Sequence, residues 1–168
     1  YVKFIGDPYK RIEEDYLRII RFLRFSLEYN NETDPTALEA IKFNLDGIKK
    51  ISKERILTEL FKILKTKNFV NINKKKNLKD IFLLIFPEFK NLERLIKLEH
   101  SSKLLNTEKE VLLAVLLIDS SNNYEYFIHK YNISNELKES LDLLAKNFEF
   151  SHKNKNFFIK DLKKNIYF

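Results

Sequence analysis

The chain has 168 residues, with 31 Lys+Arg against 24 Asp+Glu and a formal net charge of +7. It has no Cys, Met or Trp, two Gly and three Pro. Those counts exclude a disulfide framework, a thiolate zinc site, a thiol nucleophile and a Gly-rich phosphate loop. The length suits one domain of about 150 residues or two small lobes. A first residue of Tyr and no Met anywhere predict a fragment or a processed chain. The 44% hydrophobic and 33% charged composition is globular. The longest apolar run, Val111 to Ile118, is eight residues. That is far below the roughly 20 needed to cross a membrane, and no secretory leader pattern is seen. A soluble protein of a reducing compartment, the cytoplasm, is the expectation.

Helical periodicity dominates. Asp7 and Pro8 read as N-cap and first-turn residue of a helix running over 8–29, stopped at Asn30-Asn31. Thr33-Asp34-Pro35 starts a second helix toward Asp46-Gly47. Ser52 is the N-cap of a third through about Leu64, with Glu54 in its first turn. Arg55 stands where a capping box would have Glu or Gln. Residues 65–79 read as a Lys- and Asn-rich linker. Helices follow near 79–86, 88–101, 107–119, 123–131 and 134–147. The stretch 148–168 fits a strand pair or a terminal helix equally. The class is all-α, multi-helical and elongated, divided at the 65–79 stretch into 1–64 and a helical 65–168.

The first helix carries the most information. At 100° per residue, Ile12, Tyr16, Ile19, Ile20, Leu23 and Leu27 make one apolar stripe. Arg11, Glu14, Asp15, Arg18 and Arg21 crowd the opposite face. Four of the six Arg in this Lys-rich chain lie here, at 11, 18, 21 and 24. Arg in place of Lys points to fixed, planar hydrogen-bonding geometry. The plain alternative is a solvated face of i,i+3 and i,i+4 ion pairs, with Arg11 and Arg21 paired to Glu13, Glu14 or Glu28.

The stretch from Phe4 to Phe25, FIGDPYKRIEEDYLRIIRFLRF, resembles the neck helix of class II tRNA nucleotidyltransferases, the CCA-adding enzymes and bacterial poly(A) polymerases. Glu14, Asp15 and Arg18 occupy the EDxxR positions. Ile51 to Leu60, ISKERILTEL, resembles the family's next motif, which braces the neck. Ile85-Phe86-Pro87-Glu88 and Ile133-Ser134-Asn135 are similar to body landmarks. The resemblance implies that the neck selects CTP and ATP and that the body holds tRNA or another RNA 3′ end.

Base selection has a physical rationale. Cytosine and adenine both place an amino donor beside a ring-nitrogen acceptor. Asp15 can accept from the first and Arg18 can donate to the second. Uracil and guanine reverse that order and leave charged groups mismatched. Glu14 then holds Arg18, and Arg11 and Arg21 reach triphosphate oxygens or the RNA end. RNA-binding candidates are Lys74, Lys75, Lys76 and Lys79, with Lys153, Lys155, Lys160, Lys163 and Lys164.

The family's magnesium-binding D-x-D head is the missing partner. The eight Asp form no D-x-D, so no catalytic or metal-ligating residue is assigned in this chain and no cofactor is assigned to it. His100, His129 and His152 are too isolated to ligate a metal together. The 15 Phe read chiefly as core. The competing reading is a head-less RNA-binding helical module without catalytic activity.

Overall fold

A computed structural model describes residues 2–30, 32–99, 109–119 and 121–153. Among them the fold is all-α; the single β feature is an isolated bridge between Val2 and Thr33. The helices are α1 (Pro8–Glu14), α2 (Leu17–Glu28), α3 (Pro35–Phe43), α4 (Lys53–Leu64), α5 (Lys76–Ile85), α6 (Arg94–Glu99), α7 (Lys109–Leu117), α8 (Asn123–Tyr131) and α9 (Asn135–Lys153).

Local chemistry sets most helix starts. Asp7 Oδ1 accepts from Tyr9 N at 3.0 Å, ahead of Pro8. Asp34 repeats the device on Thr36 N ahead of Pro35. Ser52 Oγ accepts from Arg55 N at 3.4 Å, and Ser134 Oγ from Leu137 N at the same distance. Asn30 and Asn132 stop α2 and α8 with positive φ, a conformation Asn tolerates well.

The expected 8–29 helix is broken. Asp15 leaves helical geometry at φ −158°, and α2 restarts at Leu17. Asp15 Oδ1 caps that restart by accepting from Leu17 N at 3.1 Å. Tyr16, the other residue of the break, lies against Gly47. A Cβ on Gly47 would sit 2.0 Å from the Tyr16 ring. Gly47 is therefore required for space.

Other boundaries also move. The second helix ends at Phe43, where Asn44 Nδ2 donates to Ala40 O, and Leu45–Lys50 is 3₁₀. The expected 65–79 linker is ordered. It holds a 3₁₀ segment, Lys67–Lys74, and the start of α5. Phe69 and Ile72 are buried three residues apart, the period of a 3₁₀ turn. Residues 88–93 are turns, and the helix there is only α6. Glu88 is buried and accepts from Lys130 Nζ at 2.5 Å. Chain 148–153 is helical, within α9; the remainder of 148–168 lies outside the described residues.

One buried cluster runs from Ile12 to Ala145. Its centre is a chain of aromatic contacts, Phe69–Phe82–Phe86–Phe89–Phe127–Tyr131, with neighbouring centroids 4.8–6.1 Å apart. These Phe serve the core, as expected. Phe25 and Phe43 are the exposed exceptions among the described Phe. No helix among the described residues is long and apolar enough to cross a membrane.

Gly47→Ala tests the packing of the break. Overfilling a tight contact costs about 1–3 kcal/mol. Urea unfolding of the variant should show a loss in that range, while an Ala at exposed Gly6, where a Cβ meets nothing within 4 Å, reports only the strain of its positive φ.

Candidate nucleotide and nucleic-acid interface

The charged face of α1 and α2 is built from three ion-pair centres. Glu14 Oε2 accepts from Arg11 Nη1 at 2.7 Å and from Arg18 Nη1 at 2.5 Å. The hydrogen bond from Arg18, and then that from Arg11, holds the Glu14 carboxyl below its ordinary range against the opposing effect of burial. Arg18 Nη1 also donates to Arg11 O at 2.5 Å, bridging the break between the two helices. Arg18 is thus fixed by Glu14, as expected.

Asp15 is held differently from the expectation. The expected relation to Arg18 rests on continuous helical spacing; the helix instead breaks at Asp15, although Arg18 N still donates to Asp15 O at 3.0 Å. Asp15 faces α4 instead, where Arg55 Nη2 reaches Oδ1 and Oδ2 at 3.2 Å each. Asp15 and Arg18 side chains keep 27% and 28% of their exposure, so neither is sealed in the core. Both recorded bonds of the Arg18 guanidinium use Nη1; among the described residues its other edge has no partner.

The third centre is Glu59 of α4, whose side chain is 3% exposed. Its Oε2 accepts from Arg24 Nε at 2.9 Å and its Oε1 from Lys62 Nζ at 3.0 Å. Arg21 Nε lies 3.6 Å from Oε1. Burial alone would raise this carboxyl; the bonds from Lys62 and Arg24 outweigh it and hold it below the ordinary range. Arg24 also reaches Glu28 at 3.3 Å. Arg21 therefore shares the face as expected, with a partner the sequence reading did not weigh.

Arg55 and Glu59 are the residues that sequence reasoning missed. A signal was present. Glu59 falls on the apolar stripe of α4 with Ile56, Leu60 and Ile63, and a carboxylate there demands a buried cation.

The first Lys group is brought together at the start of α5. Lys74 and Lys76 are exposed, and Lys75 and Lys79 are half-buried. Lys74 donates to Asn71 at 2.9 Å. Burial lowers the Lys75 ammonium below its usual range. Lys75 and Lys76 line a cleft of about 600 Å³ with Asn30, Glu32, Thr33 and Leu78. Of the second group, Lys153 ends α9 with its side chain undescribed; Lys155, Lys160, Lys163 and Lys164 lie outside the described residues. No group of three or more possible metal ligands occurs among the described residues.

Comparison with known proteins gives this charged helical surface a context. Residues 32–93 match the family described as "Probable RNA and SrmB- binding site of polymerase A". The chain is 48% identical over 66 residues to human mitochondrial CCA tRNA nucleotidyltransferase 1, covering 38% of this chain and 15% of that protein. It is 39% identical over 67 residues to a CCA-adding enzyme of Staphylococcus haemolyticus, covering 40% and 17%. It is 27% identical over 159 residues to a CCA-adding enzyme of Lactobacillus helveticus, covering 88% and 38%. No solved structure matches significantly. Over these stretches the chain is similar to the tRNA nucleotidyltransferase and poly(A) polymerase family, and it spans well under half the length of these relatives.

Acid sensitivity follows from the carboxylates. Glu14 and Glu59 both titrate below the ordinary 4.5 in the folded state. Each therefore contributes stability above that pH and loses it as pH falls toward the folded value. Thermal melts should be flat above about pH 6 and decline below pH 4.5. Glu59→Gln should cost roughly 3–5 kcal/mol near neutrality, by leaving Arg24 without its buried partner, and should flatten the acid decline.

Proposed function

We propose that this chain is the neck and body part of a tRNA nucleotidyltransferase or poly(A) polymerase. On this reading α1 and α2 select CTP and ATP for 3′-end addition, and the helical body holds tRNA or another RNA. The observation that carries it is the fixed, half-exposed pair at the helix break. Asp15 is clamped by Arg55, and Arg18 is clamped by Glu14 and Arg11 O.

Clamping does not use up either group. A carboxylate has about four lone-pair sites and a guanidinium five N–H donors. Asp15 Oδ2 takes one recorded bond, and Arg18 offers the edge away from Nη1. An amino group on Asp15 and a ring nitrogen on Arg18 fit cytosine and adenine. The holding bonds lower the entropy of both side chains before a base arrives, which favours selective binding. Arg11 and Arg21, both half-exposed, suit triphosphate oxygens or the RNA terminus. The Lys74–Lys79 stretch supplies sequence-independent phosphate contacts.

The phosphoryl-transfer step needs a magnesium-binding head, expected of the complete enzyme and not assigned to these residues. The relatives' names support the addition of CCA to tRNA; a choice between CCA, partial CCA and poly(A) products does not follow from the neck alone.

In the complete enzyme, Asp15→Ala should weaken CTP and ATP binding together by about tenfold or more, the cost of a lost charged hydrogen bond. Arg18→Lys should act in the same direction, because an ammonium lacks the planar fork. Titration calorimetry with CTP, ATP, UTP and GTP reads this. Unchanged CTP and ATP affinities overturn the assignment. For RNA, Lys74→Ala with Lys76→Ala should reduce the slope of log affinity against log salt by about one to two.

A further inference from the structure

We propose that the exposed end of α2 carries a stacking subsite for unpaired RNA bases, formed by Phe25 and Tyr29. The inference rests on the RNA-binding reading above and adds a place and a ligand class to it.

Phe25 and Tyr29 are one helical turn apart. Their rings lie nearly parallel, 18° between planes and 6.1 Å between centroids. They are 36% and 60% exposed in a chain whose other described Phe, apart from Phe43, are buried or half-buried. The Arg24 guanidinium sits 4.1 Å from the Phe25 centroid. It is held there by Glu59 and Glu28, so the ring is kept at the surface by a buried anchor. An exposed, oriented aromatic pair has no use in the core of this fold. Arg24 covers part of the Phe25 ring, so the pair offers the π-surface that Arg24 leaves open, of the kind single-stranded nucleic acid takes.

Position argues for RNA over another apolar ligand. At 100° per residue, Arg18, Arg21, Phe25 and Tyr29 fall within an arc of about 80° on α2. The rings therefore continue the face that carries the nucleotide-selecting pair. The run from Arg18 to Tyr29 is about 16 Å. That length accommodates a few stacked nucleotides leading toward the selection site. Cations flank the path: Arg21 is 44% exposed and Lys62 half-exposed, both on Glu59. The nearby Glu28 carboxylate is offset by Arg24. Bases on rings with phosphates toward Arg21 and Lys62 give a coherent strand polarity of contacts, apolar on one side and cationic on the other.

The test measures fluorescence anisotropy of the 168-residue chain with three labelled 12-residue probes. These are single-stranded oligo(A), an abasic strand of the same length, and a blunt RNA duplex. Wild type should bind oligo(A) several-fold more tightly than the abasic strand. Phe25→Leu and Tyr29→Leu, which keep apolar bulk but remove the ring, should each cost about tenfold for oligo(A) and little for the abasic strand or the duplex. Phe25→Tyr and Tyr29→Trp should retain binding. Equal wild-type affinity for oligo(A) and the abasic strand overturns the proposal without any variant. So do unchanged oligo(A) binding in the Leu variants, an equal loss on the duplex, or no binding of oligo(A) at all. A labelled oligo(U) of the same length, which the proposed Asp15 and Arg18 reading rejects, should also bind better than the abasic strand and lose that preference in the Leu variants. Failure of nucleotide selection is therefore distinguishable from failure of the stacking subsite.

Discussion

The fold of the neck depends on a carboxylate that cannot be left unpaired. Glu59 is nearly inaccessible, and an isolated buried charge of that kind is strongly destabilising. Three cations from two helices answer it: Arg24 and Arg21 from α2, Lys62 from α4 itself. The result is directional, which apolar packing alone is not. Ile19, Ile20, Leu23 and Leu27 would bind α2 to the core over a range of rolls about its axis. The bonds to Glu59 select one roll, and that roll decides which α2 residues face outward. Arg55, one turn earlier on α4, does the same for the helix break by gripping Asp15.

The break changes how the candidate site is assembled. In a straight helix, residues 15 and 18 are neighbours because of the backbone. Here Asp15 is extended; a backbone bond from Arg18 N to Asp15 O at 3.0 Å still joins the two, and three further contacts hold the break: the Leu17 cap, the Arg55 pair and the Tyr16 ring on Gly47. Each is a side-chain interaction spanning a different sequence distance. A site built this way is more sensitive to substitution than a helical i,i+3 pair, because four residues outside the pair fix its geometry.

What was legible in the sequence is local. Asp7, Asp34, Ser52 and Ser134 announce helix starts because their side chains bond amides two or three residues ahead. Asn30 announces a stop through its left-handed backbone. Glu14 holding Arg18 was readable from a favourable i,i+4 order. What was not legible depends on partners far along the chain. Asp15 meets Arg55 across 40 residues, and Arg24 meets Glu59 across 35. Tyr16 and Gly47 are as remote. The 3₁₀ segment at Lys67–Lys74 was missed for another reason. Its two buried residues, Phe69 and Ile72, are too few to show a period among Lys and Asn.

The division between Arg and Lys has a physical meaning. Five of the six Arg make oriented hydrogen bonds: Arg11 and Arg18 on Glu14, Arg24 on Glu59, Arg55 on Asp15, and Arg94 on the Val115 and Ile118 carbonyls at the end of α7; Arg21 lies 3.6 Å from Glu59. The 25 Lys are the larger part of the positive charge. A planar, weakly hydrated guanidinium suits fixed geometry, and a flexible ammonium suits a diffuse field. Base choice through Arg18, on the proposed reading, would rest on rigid short-range contacts. Attraction to a phosphate backbone comes chiefly from Lys and is screened over about 10 Å at 0.1 M salt. On the proposed reading the two roles would separate with ionic strength: raising salt would loosen the hold on RNA more than the preference among nucleobases.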